Sequence, residues 1–150
     1  GGRPFTMWKL RSMVQDAEAR LKDVVDLDAL AAPVFKLEKD PRVTRVGRWL
    51  RRTSLDELPQ LWNIVKGEMS LVGPRPEAEN VVARYDAHHR RRLKAKPGLT
   101  GLQQVVARGS TNLDERVRLD VYYIRRRTLL YDVWILLRTP WAAVRGHGAV

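Results

Sequence analysis

The stretch Thr53-Ser54-Leu55-Asp56-Glu57-Leu58-Pro59-Gln60-Leu61 sets two adjacent carboxylates beside a dense run of cations. Arg42, Arg45, Arg48 and Arg51 recur every three residues, with Arg52 next in line, so on a helix they form a stripe. A carboxylate that attacks a phosphate needs such cations, because two anions otherwise repel each other. On this reading Asp56 is a nucleophile. Glu57 is then a ligand for Mg²⁺, which takes one or two carboxylates together with substrate phosphates. The same residues also describe a helix start, with Ser54 as N-cap and Glu57 closing a capping box. Pro59 fits that helix poorly unless the cap moves to Asp56, which brings the proline into the first turn. Both readings stand at this point, and the arginine stripe alone equally describes a solvated, salt-bridged face.

Two further constellations can meet an anion. In Ser70-Leu71-Val72-Gly73-Pro74-Arg75-Pro76, two prolines restrict the backbone around one arginine, which suits bidentate phosphate recognition by a guanidinium fork. The segment is also a plain strand-to-helix connection with Pro76 at the first helical position. Lys96-Pro97-Gly98-Leu99-Thr100-Gly101-Leu102-Gln103-Gln104-Val105 is a loop whose glycines could admit a ligand close to the backbone. His88 and His89 lie in a basic run and His147 in the tail, and no HExxH, phosphate-loop or dinucleotide fingerprint is present.

The elements that must position these residues read as helix-dominated α+β in one domain covering residues 1–150. Pro4 to Arg11 is an extended lead-in. Ser12 and Gln15 have capping-box spacing, followed by Ala17, Leu21, Val24 and Val25 at a helical period and a softer stretch over 26–33. Asp40-Pro41 marks a second helix with Val43, Val46 and Leu50 on one face. Residues 54–66 form a helix burying Leu58, Leu61, Trp62 and Val65, stopped by Gly67. Met69 to Val72 is a short strand. Pro74-Arg75-Pro76 feeds a helix with Ala78, Val81, Val82 and Tyr85 buried, and 99–106 is extended. Asn112 with Glu115 opens a helix through Val117, Asp120 and Ile124. Leu130, Val133, Trp134, Leu137, Trp141 and Val144 mark a last amphipathic helix with Pro140 near its end. Its period predicts core for Leu130 and Val133, whereas Trp141 and Val144 stand between core and membrane surface.

Composition narrows the function. With 28 Lys+Arg against 17 Asp+Glu, the formal charge is +11, which points to anionic partners. A 44% hydrophobic content with five Trp argues against disorder. The lack of cysteine excludes disulfides, thiolate metal sites and thiol catalysis. No segment approaches the ~20 apolar residues that span a bilayer. The opening Gly1-Gly2-Arg3-Pro4-Phe5 reads as an internal cut of a longer chain.

Taken together, these motifs resemble the monotopic phosphoglycosyl transferases, the bacterial sugar transferase family. The matching stretches are Pro4 to Met13, Asp40 to Thr44, Leu50 to Asn63, Lys66 to Pro76, Lys96 to Val105, and Leu119-Asp120-Val121-Tyr122-Tyr123. The resemblance implies transfer of a sugar 1-phosphate from a UDP-sugar to polyprenyl phosphate. Asp56 would attack the β-phosphorus, release UMP and carry a sugar-phosphoryl aspartate, which polyprenyl phosphate then attacks. Glu57 completes the catalytic dyad and ligates Mg²⁺. Lys9, Arg11, Arg51, Arg75 and Arg108 fall at substrate- and phosphate-binding positions.

A site at the cytoplasmic face of the bacterial inner membrane is implied, with an anionic membrane surface as partner and an upstream re-entrant membrane helix before this catalytic domain. The closing residues resemble larger members that use UDP-glucose or UDP-galactose. Leu10 stands where an aromatic usually follows the lysine, and Gln103 stands where Trp is usual. A nucleic-acid-binding module and a non-catalytic membrane-surface adaptor are the rival classes. The Trp residues sit on apolar helical faces rather than interleaved with a basic groove, which counts against nucleic acid.

Overall fold

The structure, a computed structural model, describes residues 2–21, 40–108, 110 and 112–144, without the Val144 side chain. Val24, Val25, the 26–33 stretch and the tail with His147 lie outside the described residues.

The N-terminal segment runs extended across the molecule and is tied to it by single bonds. The Leu10 N–H donates to the Asp56 carbonyl at 2.9 Å, and Met13 pairs with Val43 in an antiparallel bridge. Ser12 is not a helix cap. Its hydroxyl accepts from Arg51 Nε at 2.8 Å and its carbonyl accepts from the Thr44 N–H, while turns begin only at Gln15. Helix α1 (Arg45–Thr53) starts four residues later than Asp40-Pro41 suggests, capped by the Thr44 hydroxyl, which accepts from the Gly47 N–H at 2.9 Å. Asp40 is occupied instead with Arg42, a paired fork at 2.9 and 2.7 Å, so Arg42 is a buried anchor and not part of a helical stripe. Gly47 is where the lead-in crosses α1: a Cβ there would stand 1.9 Å from the Ser12 carbonyl oxygen.

The expected helix over 54–66 is broken. Ser54 adopts a left-handed backbone with φ of 60° and ends α1, and a 3₁₀ turn (Leu55–Glu57) follows. Pro59 then precedes a short helix, α2 (Gln60–Val65), which Gly67 stops at φ +75°. The face it buries is the polar one. Asn63 is 0% exposed and Gln60 2%, whereas Leu58, Leu61, Trp62 and Val65 face outward.

Strand β1 (Ser70–Val72) pairs in parallel with β2 (Gly98–Thr100), Ser70 opposite Gly98 and Val72 opposite Thr100. A parallel pair needs a long crossover. Here it contains helix α3 (Glu79–Val82), shorter than expected with Val81 and Tyr85 buried but Ala78 exposed, and a 3₁₀ helix (His89–Lys94). Residues 99–106 are not extended throughout: after β2 they turn into helix α4 (Leu102–Val106). The glycines of this segment serve backbone packing, since a Cβ on Gly98 would meet the Gly73 nitrogen at 2.1 Å. One on Gly101 would meet the Gly73 carbonyl at 2.2 Å.

Helix α5 (Leu113–Arg126) begins as expected, with Asn112 accepting from the Glu115 N–H at 3.1 Å. Helix α6 (Leu129–Val144) closes the described chain and contributes Ile135, fully buried, to a core with Val72, Leu102 and Tyr123. Leu130 and Val133 are not core: they are 81% and 44% exposed, and Leu137 and Trp141 are exposed with them. The buried face of α6 lies one step around from the apolar stripe. No helix among the described residues is long and apolar enough to cross a membrane.

Candidate active site

The break after α1 creates the site. A left-handed Ser54 followed by one tight turn carries Asp56 inward, 7% exposed, and leaves Glu57 at its rim. The N-terminal segment and the turn after β1 then meet at Glu57. Lys9 Nζ donates to Glu57 Oε1 at 3.2 Å. Arg75 donates through Nη2 to the same oxygen at 2.5 Å and through Nη1 to Oε2 at 3.4 Å. Glu57 therefore does not close a capping box; its side chain holds two cations from two distant segments.

Arg108, after α4, reaches the same place from the other side. It donates to Ser54 Oγ at 2.9 Å and to the Ala142 carbonyl of α6 at 2.7 Å. Arg108 lies close enough to feel Glu57, Arg75 and Asp56, and burial pulls its guanidinium below the usual arginine range. Burial would raise the Glu57 carboxyl, but the Arg75 charge and then Lys9 overcome it and hold Glu57 below the usual glutamate range. The result is two carboxylates and three cations converging on one turn.

The expected binding residues thus divide. Lys9 and Arg75 come together on Glu57, and Arg108 is bonded to Ser54 on the same turn. Arg51 is turned toward Ser12, and Arg11 is exposed with no side-chain hydrogen bond or ion pair among the described residues. Asn63 is a site residue that sequence reasoning missed. Its Nδ2 donates to the Thr6 carbonyl at 2.8 Å and to Glu68 Oε2 at 2.6 Å, and its Oδ1 accepts from the Trp8 N–H at 3.2 Å. These bonds lay the Lys9 segment against α2. An apolar period over 58–65 hid it, because that period assigned Asn63 to the solvent side.

Comparison with known proteins agrees with this arrangement of motifs. The family model described as bacterial sugar transferase matches residues 1–146. The chain belongs to the bacterial sugar transferase family. It is 45% identical to the galactosyl transferase CpsE of Streptococcus agalactiae over 149 residues, 99% of this chain and 33% of that protein. It is also 45% identical to an undecaprenyl-phosphate galactose phosphotransferase of Salmonella typhimurium over 152 residues, again 99% of this chain and 32% of the relative. The exopolysaccharide production protein ExoY of Sinorhizobium fredii is 40% identical, with 67% of its length covered. The chain thus spans about a third of the length of the first two relatives.

Proposed function

We propose that this chain is the catalytic part of an enzyme that transfers a hexose 1-phosphate from a UDP-sugar to polyprenyl phosphate, by way of a covalent intermediate on Asp56. The observation that carries the reading is the convergence of Lys9 and Arg75 on Glu57, next to the buried Asp56, with Arg108 held on Ser54 of the same turn. The printed names of the relatives, galactose phosphotransferase and lipid carrier transferase among them, support the substrate class.

In the first step an Asp56 carboxylate oxygen bonds to the β-phosphorus, the bond from that phosphorus to the bridging oxygen breaks, and UMP leaves with the electron pair. In the second, a phosphate oxygen of the acceptor bonds to the same phosphorus and the aspartate leaves. The chain's cations make both steps electrostatically feasible. Arg75 and Lys9, held by Glu57 before substrate arrives, present positive charge where the diphosphate must lie. Arg108, bonded to Ser54 two residues before Asp56, adds a third cation to the same turn.

Mg²⁺ fits as a cation that arrives with the diphosphate. No three His, Cys, Asp or Glu side chains converge on a metal site among the described residues. Glu57, whose Oε2 has only a 3.4 Å contact, is the residue that would hold it. Once bound, the ion would neutralise charge on the diphosphate.

A setting at the cytoplasmic face of the membrane is part of this reading, and exposed apolar side chains support its membrane-surface part. Trp8 beside Lys9, Leu58, Leu61 and Trp62 after Glu57, and Leu137 and Trp141 on α6 are all at least 44% exposed. Exposed apolar side chains in that number mark a binding surface, and a polyprenyl acceptor is a lipid.

The test is UMP release by the full-length protein given a UDP-sugar panel and polyprenyl phosphate. Asp56→Asn should lower turnover by on the order of 10³-fold or more, as loss of a covalent nucleophile does. Wild-type protein with donor alone should gain the mass of a phosphosugar, and Asp56→Asn should not. Turnover by the variant at wild-type rate overturns the reading.

A further inference from the structure

Arg92 lies in the run Arg90-Arg91-Arg92, whose first two members are exposed, yet it is itself only 2% exposed. Taking a guanidinium out of water is costly unless anions and acceptors surround it. Its partners come from three parts of the chain. Asp120 on α5, also 2% exposed, lies 2.7 Å from Nη2. Glu77 and the Tyr85 hydroxyl accept from Nη1 at 3.1 and 2.6 Å. Glu77 in turn accepts from Arg116 of α5.

A buried ion cluster of this kind is weak evidence for stability, since apolar packing of the same volume commonly does as well. What it does here is geometric. Among the described residues, the main-chain acceptor of the Arg92 guanidinium is the carbonyl of Arg75, at 2.9 Å from Nη2. Pro74 and Pro76 fix φ on either side of Arg75. The Pro74 carbonyl is held by the Gly98 N–H at 2.8 Å, which belongs to β2. The next peptide orientation, that of Arg75 itself, is left for Arg92 to hold. A fork 2.5 Å from Glu57 is sensitive to such rotation.

We propose that Arg92, clamped by Asp120, Glu77 and Tyr85, is a positioning residue that fixes the backbone of Arg75 and so aims its guanidinium at the dyad. The proposal rests on reading Asp56 and Glu57 as the reacting pair. It assigns Arg92 no contact with substrate: its effect passes through Arg75. Lysine at this position keeps the charge but cannot reach four acceptors in different directions.

The experiment is a double-mutant cycle in the full-length protein, measuring UMP release with the UDP-sugar that the wild type turns over. Arg92→Lys should lower kcat about tenfold in the wild-type background and less than twofold in an Arg75→Lys background. Non-additivity of that size is the signature of one residue acting through the other. Losses that multiply across the two backgrounds overturn the proposal. Where Arg92→Lys fails to fold, shown by its melting curve, Tyr85→Phe takes its place, since it removes only the 2.6 Å bond. No effect of the variant used on kcat also overturns it. Asp56→Asn is run alongside: turnover by that variant removes the dyad reading itself. An inactive Asp56→Asn with multiplying losses removes only the role of Arg92.

Discussion

At the scale of single residues, Glu57 decides what the dyad is for. A capping glutamate and a site glutamate have the same sequence context, and the two differ only in where the carboxylate points. Here it points at Lys9 and Arg75 rather than at a backbone N–H. Glu57→Gln keeps the shape and an acceptor but drops the charge that organises both cations. We expect its kcat/KM to fall by at least ~10-fold, about the worth of one charge-assisted hydrogen bond, while its melting temperature moves by no more than a cap loss would. Arg75→Lys keeps the charge but cannot contact both Glu57 oxygens, so a loss of about the same size is expected in the same assay. Equal activity of the Arg75→Lys variant and the wild type would reduce Arg75 to a generic cation. The paired carboxylates, Lys9 and Arg75 were legible because the motifs carry them. Arg92 and Glu77 were not, because nothing in a basic run says which arginine will turn inward.

At the scale of elements, the last two helices are read closely from the sequence, while the earlier ones are displaced, broken or shortened. The 3.6-residue period correctly opened α5 at Asn112 and placed α6 within one residue of Leu129. Its expected faces are buried at Val81 and Tyr85 and at Val117 and Asp120, but in α2 and α6 the apolar stripe is not the core face. In α2 the apolar residues face out and Asn63 faces in; in α6 Leu130 and Leu137 face out and Ile135 faces in. The physical reason is that amphipathicity reports contrast between two faces, not which medium each one meets. Two adjacent substitutions in α2 test this inversion. Trp62→Ala, at a position 56% exposed, should change stability by less than about 1 kcal/mol, where a buried tryptophan would cost ~3–5. It should weaken sedimentation with anionic vesicles. Asn63→Ala should cost about 1–3 kcal/mol or more, because Thr6, Trp8 and Glu68 all lose a buried partner. Chemical denaturation of the two variants reads the difference; a larger loss for Trp62→Ala would restore the apolar-core reading of α2. Backbone breaks were the other blind spot, since a left-handed serine at 54 carries no sequence signal, whereas Gly67 does.

At the scale of the whole molecule, a chain of charge +11 buries several carboxylates, and they pull its stability in opposite directions as pH changes. Asp120 is raised to about 6, because burial outweighs the attraction of Arg92 and Arg116. Glu57 and Asp40 are held below the usual range, Glu57 by Arg75 and Lys9 against its burial and Asp40 by Arg42. The signs follow from proton binding. Between its unfolded value near 4 and about 6, the folded state holds more Asp120 proton than the unfolded state, so this group makes the protein less stable as pH rises through that window. Glu57 and Asp40 act the other way: their stabilisation is complete above their unfolded values and is lost as pH falls through their folded ones. Acidification from pH 7 to 5 should therefore gain about 1–1.5 kcal/mol of stability from Asp120, roughly half of its full effect, before the paired carboxylates begin to protonate. Asp120→Asn keeps the shape and a hydrogen-bonding group but cannot titrate. Its stability relative to wild type should fall as pH drops from 7 to 5, measured by urea denaturation at each pH. If instead the difference between the wild type and Asp120→Asn stays constant over that range, the Arg92 pair outweighs burial and Asp120 is ionised throughout it. The cluster behind Arg75 would then keep its charges across that range.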